Sequence, residues 1–199
     1  MKEWLKSKNL PLLASWLMKF ILIAIFGLEV FSGDYLTGIA AFLALGISLL
    51  PMFIARNYAT NAPWPIDVSI TAALALHMTG VFYDLYHNPQ WWWWDNMTHL
   101  LGTAVIAFLA FYLIFILDYT NKVRLSLPLM TLFTWTMALA IGAVWEIAEF
   151  YIDVAFHTNL VQGIEDTIYD LIFDIAGAVI VSMVGVWYVR RLKRRGHGL

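Results

Sequence analysis

The chain has 199 residues, 61% of them hydrophobic and 13% charged, with a formal net charge of −2. It has no cysteine, which excludes disulfides and thiolate metal sites. Apolar runs of about 20 residues, enough to cross a bilayer core of about 30 Å, recur along it, so the expectation is an all-α polytopic membrane bundle, one domain over residues 1–199.

The N-terminus, MKEWLKSKNLPLLASWLMKF, puts lysines before an apolar run, as a signal peptide does. That run also holds Lys19 and Glu29 and lacks a clear small-residue cleavage site, so it reads as an uncleaved first span. The first helix is expected over 14–32, with a Gly33-Asp34 turn after it. The second is expected over 36–55, kinked or ended by Pro51. The connection from Arg56 to Pro65 has the Asn, Pro and Trp of an interfacial loop. Four further helices are expected over 66–86, 95–117, 128–153 and 166–189, the fifth opening on Pro128, a favoured first-turn residue. Just before the fourth, Trp91, Trp92, Trp93 and Trp94 read as an interfacial aromatic belt. The sharper reading is a stacking platform for a sugar or acyl chain.

Six spans put both termini on one side. All twelve basic residues then fall on that side: Lys2, Lys6, Lys8 and Lys19, Arg56, Lys122 and Arg124, and the tail from Arg190 to Arg195. The bias of Lys and Arg toward the cytoplasm makes both termini cytoplasmic and the tail an anchor on anionic lipid rather than a nucleic-acid binder. The acids go the other way. Only Glu3, Asp67 and Asp118 lie inside; the other eleven lie in outer loops or outer helix halves. Acids contribute little to topology, so their placement needs another reason.

That reason centres on residues 146–174. Glu146, Glu149 and Asp153 are spaced i, i+3, i+7, and Asp166, Asp170 and Asp174 are spaced i, i+4, i+8, so each trio shares one helix face. No Lys or Arg occurs between Arg124 and Arg190 to neutralise them. An ionised carboxylate in hydrocarbon costs several kcal/mol unless a partner offsets it, and a bound divalent cation is the expected partner. Asp95-x3-His99-x2-Gly102 resembles Asp170-x3-Asp174-x2-Gly177, and the third and fifth helices rise to Asp84 and Asp153, as in two related hairpins. The glycines, with Ala104, Ala176 and Ala178, would let helices approach closely.

The expected ligands are Asp95, His99, Glu146, Glu149, Asp170 and Asp174, with His77, Asp84, Asp153 and Asp166 as secondary candidates. Glu146 and Asp174 would lie about 10 Å below the helix ends, at the bottom of an outward-facing funnel. Oxygen ligands with an imidazole suit Zn, Mn or Fe, as one ion or two. Blander roles stand beside these. Asp95 and Asp166 suit first-turn helix acids, Asp153 and Glu165 suit solvated loop acids, and His99 suits a buried hydrogen-bonded histidine. Glu29 and Asp34 suit an outer cap, and His87 and His157 suit outer loops. For Glu146, Glu149, Asp170 and Asp174, inside spans, the competing account is protonated acids bonded to one another.

YDLYHNPQWWWWDNMTHLLG, VWEIAEF and DTIYDLIFDIAGA resemble the YjdF-type bacterial inner-membrane proteins, a family of unknown function, from about Tyr83 to Val181. The resemblance implies a six-helix inner-membrane protein and adds weight to Asp95, His99, Glu146, Glu149, Asp170 and Asp174; it supplies no activity.

Three functions fit these residues. One is a metal-dependent hydrolase or transferase acting on a lipid or lipid-linked substrate at the outer leaflet, with Glu146 or Glu149 as general base. Another is a divalent-cation or proton-coupled transporter, disfavoured because the inner halves of the fourth, fifth and sixth helices offer oxygen only from Thr131, Thr134, Thr136 and Ser182, with His77 the one ionisable candidate near the midplane. The third is a binding or sensor protein with a structural metal.

Overall fold

The computed structural model describes residues 2–57 and 64–194. Within them the chain is all-α: α1 (Lys2–Ser32), α2 (Tyr35–Asn57), α3 (Trp64–Phe82), α4 (Trp94–Tyr119), α5 (Leu127–Phe156) and α6 (Ile164–Arg194), with one 3-10 turn at Pro89–Trp91. All six α-helices contain segments long and apolar enough to cross a membrane, with mean hydropathy from 1.3 to 2.7. Part of the expected 56–65 connection and the tail beyond Arg194 lie outside the described residues. So do the side chains of Lys2, Lys6, Lys8, Arg56 and Lys193, which entered the orientation argument.

The helix ends follow local chemistry. α1 is already helical at Lys2, well before the expected start, and carries Pro11 within it. α2 runs through Pro51 to Asn57, so that proline does not end it. α3 stops at Phe82 rather than Tyr86, because Asp84 turns left-handed at φ 52°. There Leu85 N–H donates to Gly80 O and Asp84 N–H to Val81 O, the paired bonds of a Schellman end. α4 closes the same way at Asn121, φ 56°, with Lys122 N–H to Leu117 O and Asn121 N–H to Asp118 O. α5 ends at His157, also left-handed, whose N–H reaches Asp153 O.

The helices group into two compact units, Met1–Trp94 and Asp95–Leu199. The first contains α1 to α3, around Leu22, Ile25, Ala41, Ala44, Ala75 and Met78. One feature of this core runs against the sequence reading, in which Lys19 is a topology charge. Lys19 is 2% exposed, and its ammonium donates to Ser15 Oγ (2.6 Å), Asp67 Oδ1 (2.9 Å) and Thr71 Oγ1 (3.0 Å). Ser15 donates to the other Asp67 oxygen at 2.5 Å, so lysine and aspartate satisfy one another inside the unit.

In the second unit the inward helix faces are small or polar over the half that carries the acids, and the outward faces are large and apolar. Phe133, Ile141, Val144, Ile147, Ile168, Ile172, Ile180 and Met183 are exposed. That inversion suits a lipid surround. Inside, Ala107 of α4, Ala138 of α5 and Ala178 of α6 form one closed layer, and Phe111, Ile114, Met130 and Val189 fill the interior toward the other end. The expected glycine-mediated approach occurs at Gly177, where a Cβ would lie 2.5 Å from Leu100 O and 3.0 Å from Ala104 N. It does not occur at Gly102, which has open space around its α-carbon.

Candidate metal centre

α4 descends from Trp94, α5 rises to Phe156, and α6 descends from Ile164. The N-terminal ends of α4 and α6 therefore sit with the C-terminal end of α5. Four-residue steps keep a single stripe of each helix inward. On α5 the buried stripe is Met130, Thr134, Ala138, Gly142, Glu146. On α4 it passes through His99, Thr103 and Ala107, and on α6 through Asp170, Asp174, Ala178 and Ser182. His99, Thr103, Glu146, Asp170 and Asp174 meet above the alanine layer, whereas Thr134 and Ser182 lie below it.

His99 is the hub. Its Nε2 lies 3.6 Å from Asp95 Oδ1, 3.6 Å from Glu146 Oε1 and 3.8 Å from Asp170 Oδ1. These separations are too long for hydrogen bonds. They are near the about 3–3.5 Å that separates neighbouring ligands around one ion held by bonds of about 2.0–2.2 Å. On the opposite side of the ring, Nδ1 lies 3.3 Å from Asp174 Oδ1, and the Thr103 hydroxyl donates to that same oxygen. Two triads bring one ligand atom each within 4.8 Å of one another: Asp95, His99 and Asp170, and His99, Glu146 and Glu149.

The carboxylates differ in what already satisfies them. Thr167 donates a hydroxyl to Glu146, yet Glu146 Oε1, facing His99 Nε2, is buried with no hydrogen-bond partner. Glu149, half-buried one turn nearer the end of α5, takes a bond from the Trp145 indole. Asp174 Oδ2 is the other buried carboxylate oxygen without a partner. It faces Gly142, where any Cβ would collide with it.

The remaining candidates take other places. Asp153 accepts from the Thr158 hydroxyl (2.6 Å), Leu160 N–H (2.8 Å) and Val161 N–H (2.9 Å), so its carboxylate organises the loop after α5. Asp166 accepts from Gln162 N–H at 3.1 Å, a first-turn acid reaching back along the chain. His77 and Asp84 belong to the first unit, where His77 Nδ1 meets Tyr86 Oη at 2.8 Å and Asp84 meets His87 Nδ1 at 2.6 Å. Trp91, Trp92 and Trp93 are exposed, as an interfacial belt requires, but Trp94 is buried. Its ring stacks edgewise on Trp91 and lies against Gly80.

Sequence reasoning missed four supporting residues, Thr103, Gly142, Trp145 and Thr167. Three carried a signal: Thr103 is four residues after His99, and Gly142 and Trp145 are four residues before Glu146 and Glu149.

A family model described as "Predicted membrane protein (DUF2238)" matches residues 14–191. An uncharacterised protein of Thermotoga maritima is 28% identical over 126 residues, 61% of this chain. The match spans 62% of that protein's length. No solved structure matches.

Proposed function

The chain belongs to the DUF2238 family of membrane proteins, and from that premise we propose that it is a bacterial inner-membrane enzyme whose second unit holds a divalent cation and hydrolyses or transfers a lipid or lipid-linked substrate. The observation that carries the reading is Glu146 Oε1. A carboxylate oxygen buried without a hydrogen bond, 3.6 Å from an imidazole nitrogen that two further carboxylates approach, costs about 1–3 kcal/mol or more if nothing binds it. An ion at the centre of the group removes that cost. Three carboxylates and one imidazole suit Zn, Mn or Fe better than Mg or Ca.

The positive-inside bias supports an outer-leaflet position for this end of the unit. The interior beneath it is closed by Ala107, Ala138 and Ala178 and then by Phe111, Ile114, Met130 and Val189. A site open at one end suits catalysis on a substrate arriving from the bilayer better than passage through the unit.

When bound, the ion supplies Lewis-acid polarisation of an ester, amide or phosphoryl oxygen. The chain's own residues do the rest. Glu149, less buried than Glu146 and held by Trp145, is placed as the general base that takes a proton from water or an acceptor hydroxyl. That proton goes on to the leaving oxygen or nitrogen, so the reaction adds water, or the acceptor, across the cleaved bond.

Elemental analysis of the purified full-length protein tests the reading. One or more equivalents of Zn, Mn or Fe are expected, lost in Asp170→Asn and Glu146→Gln. Metal-restored cleavage of a lipid-linked ester or phosphodiester panel, abolished by chelator and by Glu149→Gln, would support the catalytic role. Retention of full metal in both ligand variants would overturn it.

A further inference from the structure

We infer that Asp174 stands outside the coordination sphere as a positioning residue for His99, and that the centre takes one ion rather than two. This rests on the metal reading above and deepens it.

His99 has two ring nitrogens, and Asp174 accounts for one. With Nδ1 3.3 Å from Asp174 Oδ1, the favoured tautomer carries its proton on Nδ1 and presents the Nε2 lone pair to Asp95, Glu146 and Asp170. Carboxylate–histidine pairs orient metal-binding imidazoles this way. Asp174 has little freedom to do anything else. It is 1% exposed. The Thr103 hydroxyl donates to the oxygen that faces Nδ1, and the other oxygen is pressed against Gly142, where there is no space even for a methyl group. An ion on Asp174 would have to displace one of these neighbours.

The count of ions follows from the same ring. Among the described residues, both triads able to gather ligand atoms include His99. Once Nδ1 is committed, only the Nε2 lone pair remains, and one lone pair serves one ion. Asp95, Glu146 and Asp170 converge on that nitrogen, and Glu149, beside Glu146, is left for proton transfer. Asp174 therefore departs from the ligand role its spacing suggested: it lies one turn below Asp170 and on the opposite side of the imidazole.

Titration of the metal-stripped, full-length protein in detergent with Co(II) tests this, reading stoichiometry, affinity and the visible ligand-field bands. The wild type is expected to bind one equivalent. Asp174→Asn, which can still accept from Nδ1, is expected to bind one equivalent about 10–100-fold more weakly with its bands unmoved. Thr103→Val is expected to weaken binding less, also without moving the bands, and covers the case in which the Asp174 variant fails to fold. Asp170→Asn, which removes a ligand, is expected to shift the bands or abolish binding. Two equivalents in the wild type, or band shifts in Asp174→Asn or Thr103→Val matching those of Asp170→Asn, would overturn the assignment alone. A wild type that binds none would overturn both the assignment and the metal reading.

Discussion

Lys19 and Asp67 face one another from α1 and α3, 48 residues apart in sequence, with Nζ and Oδ1 2.9 Å apart and the lysine sealed from solvent. Removing one partner of a buried pair strands the other and costs about 3–5 kcal/mol, whereas replacing both with apolar groups is often neutral. Lys19→Met or Asp67→Leu alone is therefore expected to lower the thermal midpoint in detergent markedly, and the double variant to recover most of the loss. A double variant whose loss equals the sum of the two single losses would show that the pair is not coupled. Fluorescence-monitored melting is the measurement.

Gly142 and Gly102 make a matched test of space. A methyl group at Gly142 meets the Asp174 carboxylate, whereas one at Gly102 meets nothing within 4 Å. Gly142→Ala is expected to push Asp174 away from His99 and weaken metal uptake. Gly102→Ala is expected to leave uptake unchanged and to stabilise α4 by up to about 1 kcal/mol, the helix preference of alanine over glycine. Metal affinity and thermal midpoint, measured together, separate the two effects.

Gly177 governs how closely α4 and α6 pack. Here the atoms in the way are backbone, Leu100 O at 2.5 Å and Ala104 N at 3.0 Å, and backbone cannot rotate aside. Gly177→Ala is expected to cost about 1–3 kcal/mol, as overpacking does, and Gly177→Val more. Both should also weaken metal binding, because His99 on α4 and Asp170 on α6 would move apart. Stability curves that match the wild type would refute this.

Much of the carboxylate–histidine cluster could be read from spacing alone. Glu146, Asp170 and His99 recur on inward helix faces in a chain with no basic residue nearby, and such periodicity survives folding because an α-helix rotates about 100° per residue. The six helices were visible as apolar runs long enough to cross a bilayer. Spacing could not say which side of the imidazole each acid takes. Asp170 and Asp174 share one face of α6, yet the packing of α4 puts one near Nε2 and the other on Nδ1. Nor could it find the Lys19–Asp67 pair, since a lysine close to the N-terminus looks like a topology signal until its partner on a distant helix is known. The end of α3 was missed because Asp84, a residue type that tolerates the left-handed region, stops the helix while the apolar pattern continues.

Asp153 offers a test away from the cluster. Its carboxylate gathers the Thr158 hydroxyl and the amides of Leu160 and Val161. Asp153→Ala is expected to open this loop and cost about 2–4 kcal/mol, from three bonds of about 0.5–1.5 kcal/mol each. Asp153→Asn, which keeps an acceptor oxygen, should lose less. Limited proteolysis between His157 and Gly163 reports the opening directly.

The Asp153 clasp also works as a ruler. Its oxygens accept from atoms five, seven and eight positions along the chain, so it measures how much backbone separates α5 from α6 while remaining indifferent to most side chains in between. Across descendants of this chain, the turn should drift freely in spelling and hardly at all in size, because an inserted residue would slide the acids of α6 out of step with those of α5.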